Sequence, residues 1–217
     1  MSSTPQVSAF SWVPPFAQGY VRDLRVRWAL EEAGRPYEAV LLGADTDKAA
    51  YRRWQPFGQV PAYRDGPVEM FESGAIVLHI AEQSEALAPR DPAGRARVTS
   101  WVIAALNSVE PHVQNLVHLN AFHKGEAWTV ERRPQAEAML DGRLKALADW
   151  LGDKDYLEGR FTAGDLIMTT VLRELVDEGV LDRYPTLGAY YRRCEARPAF
   201  GRALEAQLAP FREFEPA

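Results

Sequence analysis

The spacing of apolar residues changes character once along this 217-residue chain, near residues 85–93, and that change limits the possible fold more than any other feature. Upstream of it, short strand-like runs alternate with helical stripes. VSAF (residues 7–10) and YEAVLL (37–42) read as strands. Residues 21–32 read as a helix, with Val21, Leu24 and Trp28 on one face and Gly34 just past the end. Residues 61–64 and 68–71 flank Asp65-Gly66, a dipeptide suited to a tight hairpin, and a further helix is predicted over 73–83. The order β-α-β, then an irregular segment, then β-β-α implies a parallel strand pair with a helical crossover, followed by a hairpin.

Downstream the pattern is helical only. EALAPRDPA (85–93) carries two prolines in a short polar stretch and is the expected linker. Beyond it Val98, Trp101, Val102, Ala105, Leu106 and Val109 repeat at helical spacing, as do Leu140, Leu144, Leu147 and Leu151. Residues 166–172 are apolar on most sides, which predicts a central, buried helix. The expected fold class is α/β plus all-α, with one domain over 1–84, a linker over 85–93 and a helical domain over 94–217.

The single cysteine, Cys194, excludes an intramolecular disulfide and a cysteine-rich zinc site, and a reducing cytoplasm is the expected compartment. It shares a helical face with Leu187, Tyr190 and Tyr191, so it reads as a buried small hydrophobe. His79, His112, His118 and His123 show no pair at metal spacing with a carboxylate partner, and no metal is expected. A net charge of −5 without a long basic run argues against nucleic acid. No window approaches the roughly 18 apolar residues of a membrane span, and the N-terminal residues lack the pattern of a secretion signal.

Two short segments carry candidate chemistry. In Gln59-Val60-Pro61 the backbone N–H and C=O of Val60 could pair with a ligand's peptide backbone, as an added strand would. A cis bond before Pro61 would turn that backbone outward. In Glu72-Ser73, Ser73 reads as a helix N-cap, so a ligand carboxylate there would meet backbone donors, a hydroxyl and the positive end of the helix dipole. Glu72 could meet an ammonium group, and an α-amino acid end group offers both charges. Taken singly, the first segment also reads as a turn before a strand and the second as a plain helix cap.

Together, the order GQVP, Asp-Gly hairpin and ES-x-AI resembles the glutathione site of cytosolic glutathione transferases. The resemblance extends along the chain through VRDLRVRWALEEAGRPYE, FTAGDLIMTTVL and YPTLGAYYRRCEARPAF. It implies a thioredoxin-like N-terminal domain with a mixed sheet and a helical-bundle C-terminal domain, commonly paired into homodimers. It implies that Val60 holds the cysteinyl backbone of glutathione, with Pro61 in cis. Glu72 and Ser73 would hold the γ-glutamyl end, and Gln59 would reach the glycyl carboxylate. Gln55-Pro56 stands where the family often has Asn. Within FTAGDLIMTTVL, Thr162 is the expected helix cap, with Asp165 bonding back to the cap.

The implied activity is transfer of the glutathione thiolate to a small electrophile, with glutathione as substrate and no metal. A thiol with a pKa of roughly 8.5 needs a donor to hold it as thiolate. Matching the family's helical position gives Tyr20, and its position just after the first strand gives Ser11 or Trp12. The loop SWVPPFAQGYVRD is longer than the family pattern and has no cysteine, which argues against thiol exchange. The co-substrate pocket would draw on Trp12, Trp101 and Asn107, with His112 and His118 nearby. Other readings are a non-catalytic glutathione-binding or interaction module, a glutathione-dependent reductase or peroxidase, and an isomerase.

Overall fold

The structure is a computed structural model that describes residues 4–216. Four strands, β1 (Gln6–Phe10), β2 (Glu38–Leu42), β3 (Ala62–Asp65) and β4 (Val68–Phe71), form one mixed sheet in the order β2-β1-β3-β4. β1 and β2 are parallel, with Gln6 opposite Glu38 and Phe10 opposite Leu42. β3 is antiparallel to both β1 and β4. Asp65 pairs with Val68, so the hairpin turns on Gly66-Pro67, one residue later than expected, and Gly66 takes the positive φ of 59° that glycine adopts without steric cost.

The crossover is α1 (Asp23–Glu32), and α3 (Ser73–Glu82) follows the hairpin. Between β2 and β3 lies a helix the sequence reading missed, α2 (Lys48–Tyr51). A single turn is too short to show a periodicity. Asp47 caps it, accepting from the N–H groups of Ala49 and Ala50.

The helical part comprises α4 (Pro92–Ala104), α5 (Glu110–Val117), α6 (Ala127–Leu151), α7 (Ala163–Arg173) and α8 (Pro185–Glu195), followed by α9 (Pro198–Glu213). Two compact units are seen. One is Asp91–Glu195; the other joins the chain up to Arg90 with the chain from Ala196 onward. The helices expected after residue 94 are thus not all in one unit, because α9 packs on α1. Gln207 donates to Asp23 Oδ1 (2.6 Å) and to the Val21 carbonyl (2.9 Å), and Arg197 makes a forked pair with Glu32 (2.6 and 2.8 Å). Asp23 also pairs with buried Arg27 at 2.7 Å. Burial pushes the Asp23 carboxyl up, against the pull of Arg27. These polar groups are what an apolar-periodicity argument cannot see.

In the second unit α7 is the central helix, with residues 163–172 all buried. Thr162 caps it and Asp165 returns a bond to the Thr162 N–H at 2.9 Å, the reciprocal arrangement expected. Asp165 also accepts from the Leu157 N–H and the Tyr190 hydroxyl. Cys194 is buried, as its helical face implied.

Replacing Thr162 with Ala removes the cap oxygen and its bond to Asp165 and should destabilise the protein by about 1–2 kcal/mol. Urea denaturation followed by far-ultraviolet circular dichroism would register this as a lower midpoint; an unchanged midpoint would contradict the cap's role.

Candidate functional site

Between α2 and β3 the chain follows an irregular path, and side chains rather than strand pairing hold it. Buried Gln55 turns its carbonyl oxygen onto the N–H groups of Phe57 (2.7 Å) and Gln59 (3.3 Å). The Tyr51 hydroxyl donates to the Gln59 carbonyl at 2.6 Å. Ser8, wholly buried in β1, lies 2.8 Å from that hydroxyl and accepts the Ala62 N–H at 2.6 Å. Because the one Tyr51 proton faces Gln59, the Ser8 proton faces Tyr51. The four groups form a continuous line from Ala62 through Ser8 and Tyr51 to Gln59.

Val60 and Pro61 sit inside that frame, and the bond between them is cis, as expected. Among the described residues, the N–H and C=O of Val60 have no hydrogen-bond partner within the chain. Val60 is only 8% exposed, and backbone groups in such a position normally have a partner. The arrangement therefore offers one donor and one acceptor to an outside peptide group. Gln59 beside it is exposed.

The second segment differs from the sequence reading by one residue. Glu72, not Ser73, is the N-cap of α3, and no side chain bonds into the cap. The reason is conformational: Glu72 has φ 72° and ψ 113°, and its carbonyl accepts the first helical bond, from Ile76 at 2.9 Å. That positive φ makes Glu72 the one such non-glycine among the described residues. Such strain collects at functional positions. Ser73 is the first helical residue and is buried, its hydroxyl accepting from Arg25 Nη1 at 3.3 Å. The N–H groups of the first turn lie beyond the reach of any intrahelical acceptor. An exposed carboxylate on one side and helix N–H donors on the other suit an α-amino acid end group.

Ser11 is the first residue past β1; its N–H donates to the Leu42 carbonyl at 3.0 Å. Its hydroxyl, among the described residues, has no hydrogen-bond partner. With Phe10, Trp12, Leu41–Asp45 (residues 41–45), Phe214 and Pro216 it lines a cleft of about 570 Å³ beyond the carboxyl ends of β1 and β2. The Trp12 indole nitrogen is buried without a partner. Tyr20 lies three residues ahead of α1, in a turn where its N–H donates to the Ala17 carbonyl, and the helix begins two residues later than the expected residue 21.

Trp101 and Asn107 belong to the second unit. Trp101 donates its indole N–H to Glu158 (2.8 Å), and its ring lies 5.4 Å from that of Trp150. Its Cβ is so close to Gly164 that a side chain at that glycine would come within 2.6 Å. Trp101 thus packs α4 against α7. Asn107 is exposed on a π-helical turn, Ala105–Val109. His112 is half-buried and His118 exposed. Among the described residues no group of three or more His, Cys, Asp or Glu could hold a metal ion, and no helix is long and apolar enough to cross a membrane.

Residues 23–89 match the family described as glutathione S-transferase, N-terminal domain. Glutathione S-transferase F11 of Arabidopsis thaliana is 31% identical over 185 residues, a match covering 77% of this chain and 86% of that one. The chain belongs to the glutathione S-transferase family. Glutathione S-transferase Z1 of the same plant is also 31% identical, over 83% of this chain and 85% of its own. Among solved structures, a glutathione transferase of Burkholderia graminis with two glutathione molecules bound per subunit superposes with a TM-score of 0.80. That match covers 94% of this chain and 88% of the other at 23% identity, so it speaks to the fold. A thioredoxin-like sheet with a helical unit is the family's architecture, and this chain has it.

The sequence reading missed Ser8, Tyr51, Gln55 as a bonded side chain, and Arg25. A usable signal existed for Ser8, a polar residue at the centre of an apolar strand. None existed for Tyr51, whose partner lies 43 residues away.

Glu72→Gly relieves the positive φ and should raise stability by roughly 1 kcal/mol. A higher thermal midpoint would bear this out, and an unchanged or lower one would show that Glu72 carries no backbone strain.

Proposed function

We propose that this chain binds glutathione and delivers its thiolate to a small electrophile. The observation that supports the reading most is the free backbone of Val60 beside cis-Pro61. One donor and one acceptor on the same residue match the N–H and C=O of the cysteinyl unit, which would lie as a further strand against Val60. The γ-glutamyl end then falls to Glu72 and the N–H groups that open α3, where its carboxylate meets the positive end of the helix. Gln59 takes the glycyl carboxylate.

The thiol would be held by Ser11 in preference to Tyr20. Continuing the β1–β3 register, in which Val7 faces Tyr63, sets Phe10 level with Val60 and Ser11 just beyond. A cysteinyl unit on Val60 therefore points its sulfur toward the end of β1, where the Ser11 hydroxyl is uncommitted. Catalysis would rest on proximity and on thiolate stabilisation by this donor. The electrophile would enter the cleft lined by Ser11, Trp12 and Phe214. A homodimer in the cytoplasm is the expected state. Exposed Phe57 and Phe71, their rings edge-to-face at 6.0 Å, supply an apolar contact for a second copy.

Ultraviolet absorbance of the bound thiolate, titrated with pH, tests the proposal. Wild type should hold the thiol below its usual pKa of roughly 8.5, Ser11→Ala should move it up by about one unit or more, and Tyr20→Phe should leave it in place. An unshifted thiol in bound wild type would favour a binding module over an enzyme. A shift caused by Tyr20→Phe alone would transfer the role to Tyr20. Sedimentation at twice the 24.3 kDa chain mass is expected, with Phe57→Ala moving the population toward the monomer; a monomeric wild type would end the dimer assignment.

A further inference from the structure

We infer that Ser8 and Tyr51 are positioning residues that set the Val60 backbone at the angle a peptide ligand needs, an assignment that rests on the reading of this loop as a glutathione site. Neither residue belongs to the set that would touch glutathione. Their hydroxyls grip the chain at both ends of the Val60-Pro61 unit: Tyr51 on the Gln59 carbonyl at 2.6 Å, Ser8 on the Ala62 N–H at 2.6 Å. The two are joined at 2.8 Å, so a shift at one end is passed to the other. Gln55 holds the remaining backbone group of Gln59. The N–H and C=O of Gln59 and the N–H of Ala62 are thereby committed to side chains, while the N–H and C=O of Val60 itself are left for a ligand.

The line of bonds is directional. Tyr51 can donate to Gln59 only while protonated, and burial pushes its hydroxyl up from its ordinary value, so the proton stays at neutral pH. Ser8 must then donate to Tyr51, which leaves its lone pair facing Ala62. Reversing any member would set two donors or two acceptors face to face. Ser8 is wholly buried and rooted in β1, an interior strand next to β3, so the line ties the loop to the interior of the sheet. Loop and sheet are connected by side chains and not by ladder bonds: by these two hydroxyls and by the Trp54 indole N–H, which donates to the Tyr63 carbonyl at 3.1 Å.

The test separates positioning from general structural support by comparing two ligands. One is glutathione; the other is the analogue with an ester oxygen in place of the cysteinyl N–H, which cannot donate to the Val60 carbonyl. Calorimetric titration of wild-type protein should favour glutathione by about three- to tenfold. Tyr51→Phe and Ser8→Ala should each weaken glutathione by a similar factor and bring the two ligands to near-equal affinity. Thermal unfolding of each variant establishes that it is folded. Equal weakening of both ligands, or an undiminished preference in either folded variant, overturns the positioning role while leaving the glutathione site intact. A wild type that binds glutathione without preferring it to the ester overturns it as well. A folded wild type that binds neither ligand ends the glutathione reading and this assignment together.

Discussion

The antiparallel register of β1 against β3 determines where everything at the site can stand. With Gln6 opposite Arg64 and Val7 opposite Tyr63, the ladder ends just as the chain reaches Ala62, and Ser8 takes the Ala62 N–H with its side chain instead. A slip of one residue would turn Ser8 to the other face of the sheet, leaving that N–H without its acceptor and the Tyr51 hydroxyl without its donor. Continued past its last pair, the same register would bring the end of β1, with Ser11, level with the loop that holds Val60. The proposed backbone recognition and the proposed thiol donor would then both follow from one strand pairing.

The first unit is completed from the far end of the sequence. α9 lies along α1 through a graded set of polar contacts, from the Arg197–Glu32 fork to Gln207 on Asp23 and the Val21 carbonyl. These last two bonds fall at the start of α1, directly after the long loop that carries Trp12 and Tyr20. Buried Asp23 and Arg27 form the centre of this contact. Removing one partner of such a pair leaves an uncompensated buried charge, typically a loss of 3–5 kcal/mol. The residues after α9 then reach the cleft at the ends of β1 and β2, where Phe214 and Pro216 join Ser11 in its lining.

Much of this was legible in the sequence wherever the information is local. Alternation and turn chemistry located the four strands to within one residue at most ends, and the Thr162–Asp165 box marked the start of α7. Val60-Pro61 and Glu72-Ser73 stood out as candidates by their order along the chain, and the cis bond expected before Pro61 is present. What failed was non-local or conformational. Ser73 read as the cap because its side chain suits one, but the cap is set by the backbone angle of Glu72, which no side-chain preference reveals. α9 read as part of the helical domain because helical spacing identifies an apolar face without naming its partner. The neighbours that pack Trp101, namely Trp150, Glu158 and Gly164, lie 49 or more residues away in sequence and so were not legible either.

The central claim is that Val60 offers its backbone to the cysteinyl unit of glutathione. Amide hydrogen exchange read residue by residue, with and without saturating glutathione, measures this directly. The Val60 N–H should exchange more slowly when glutathione is bound, together with the N–H groups that open α3. Slowing at α3 alone, or protection confined to residues outside both segments, would contradict it.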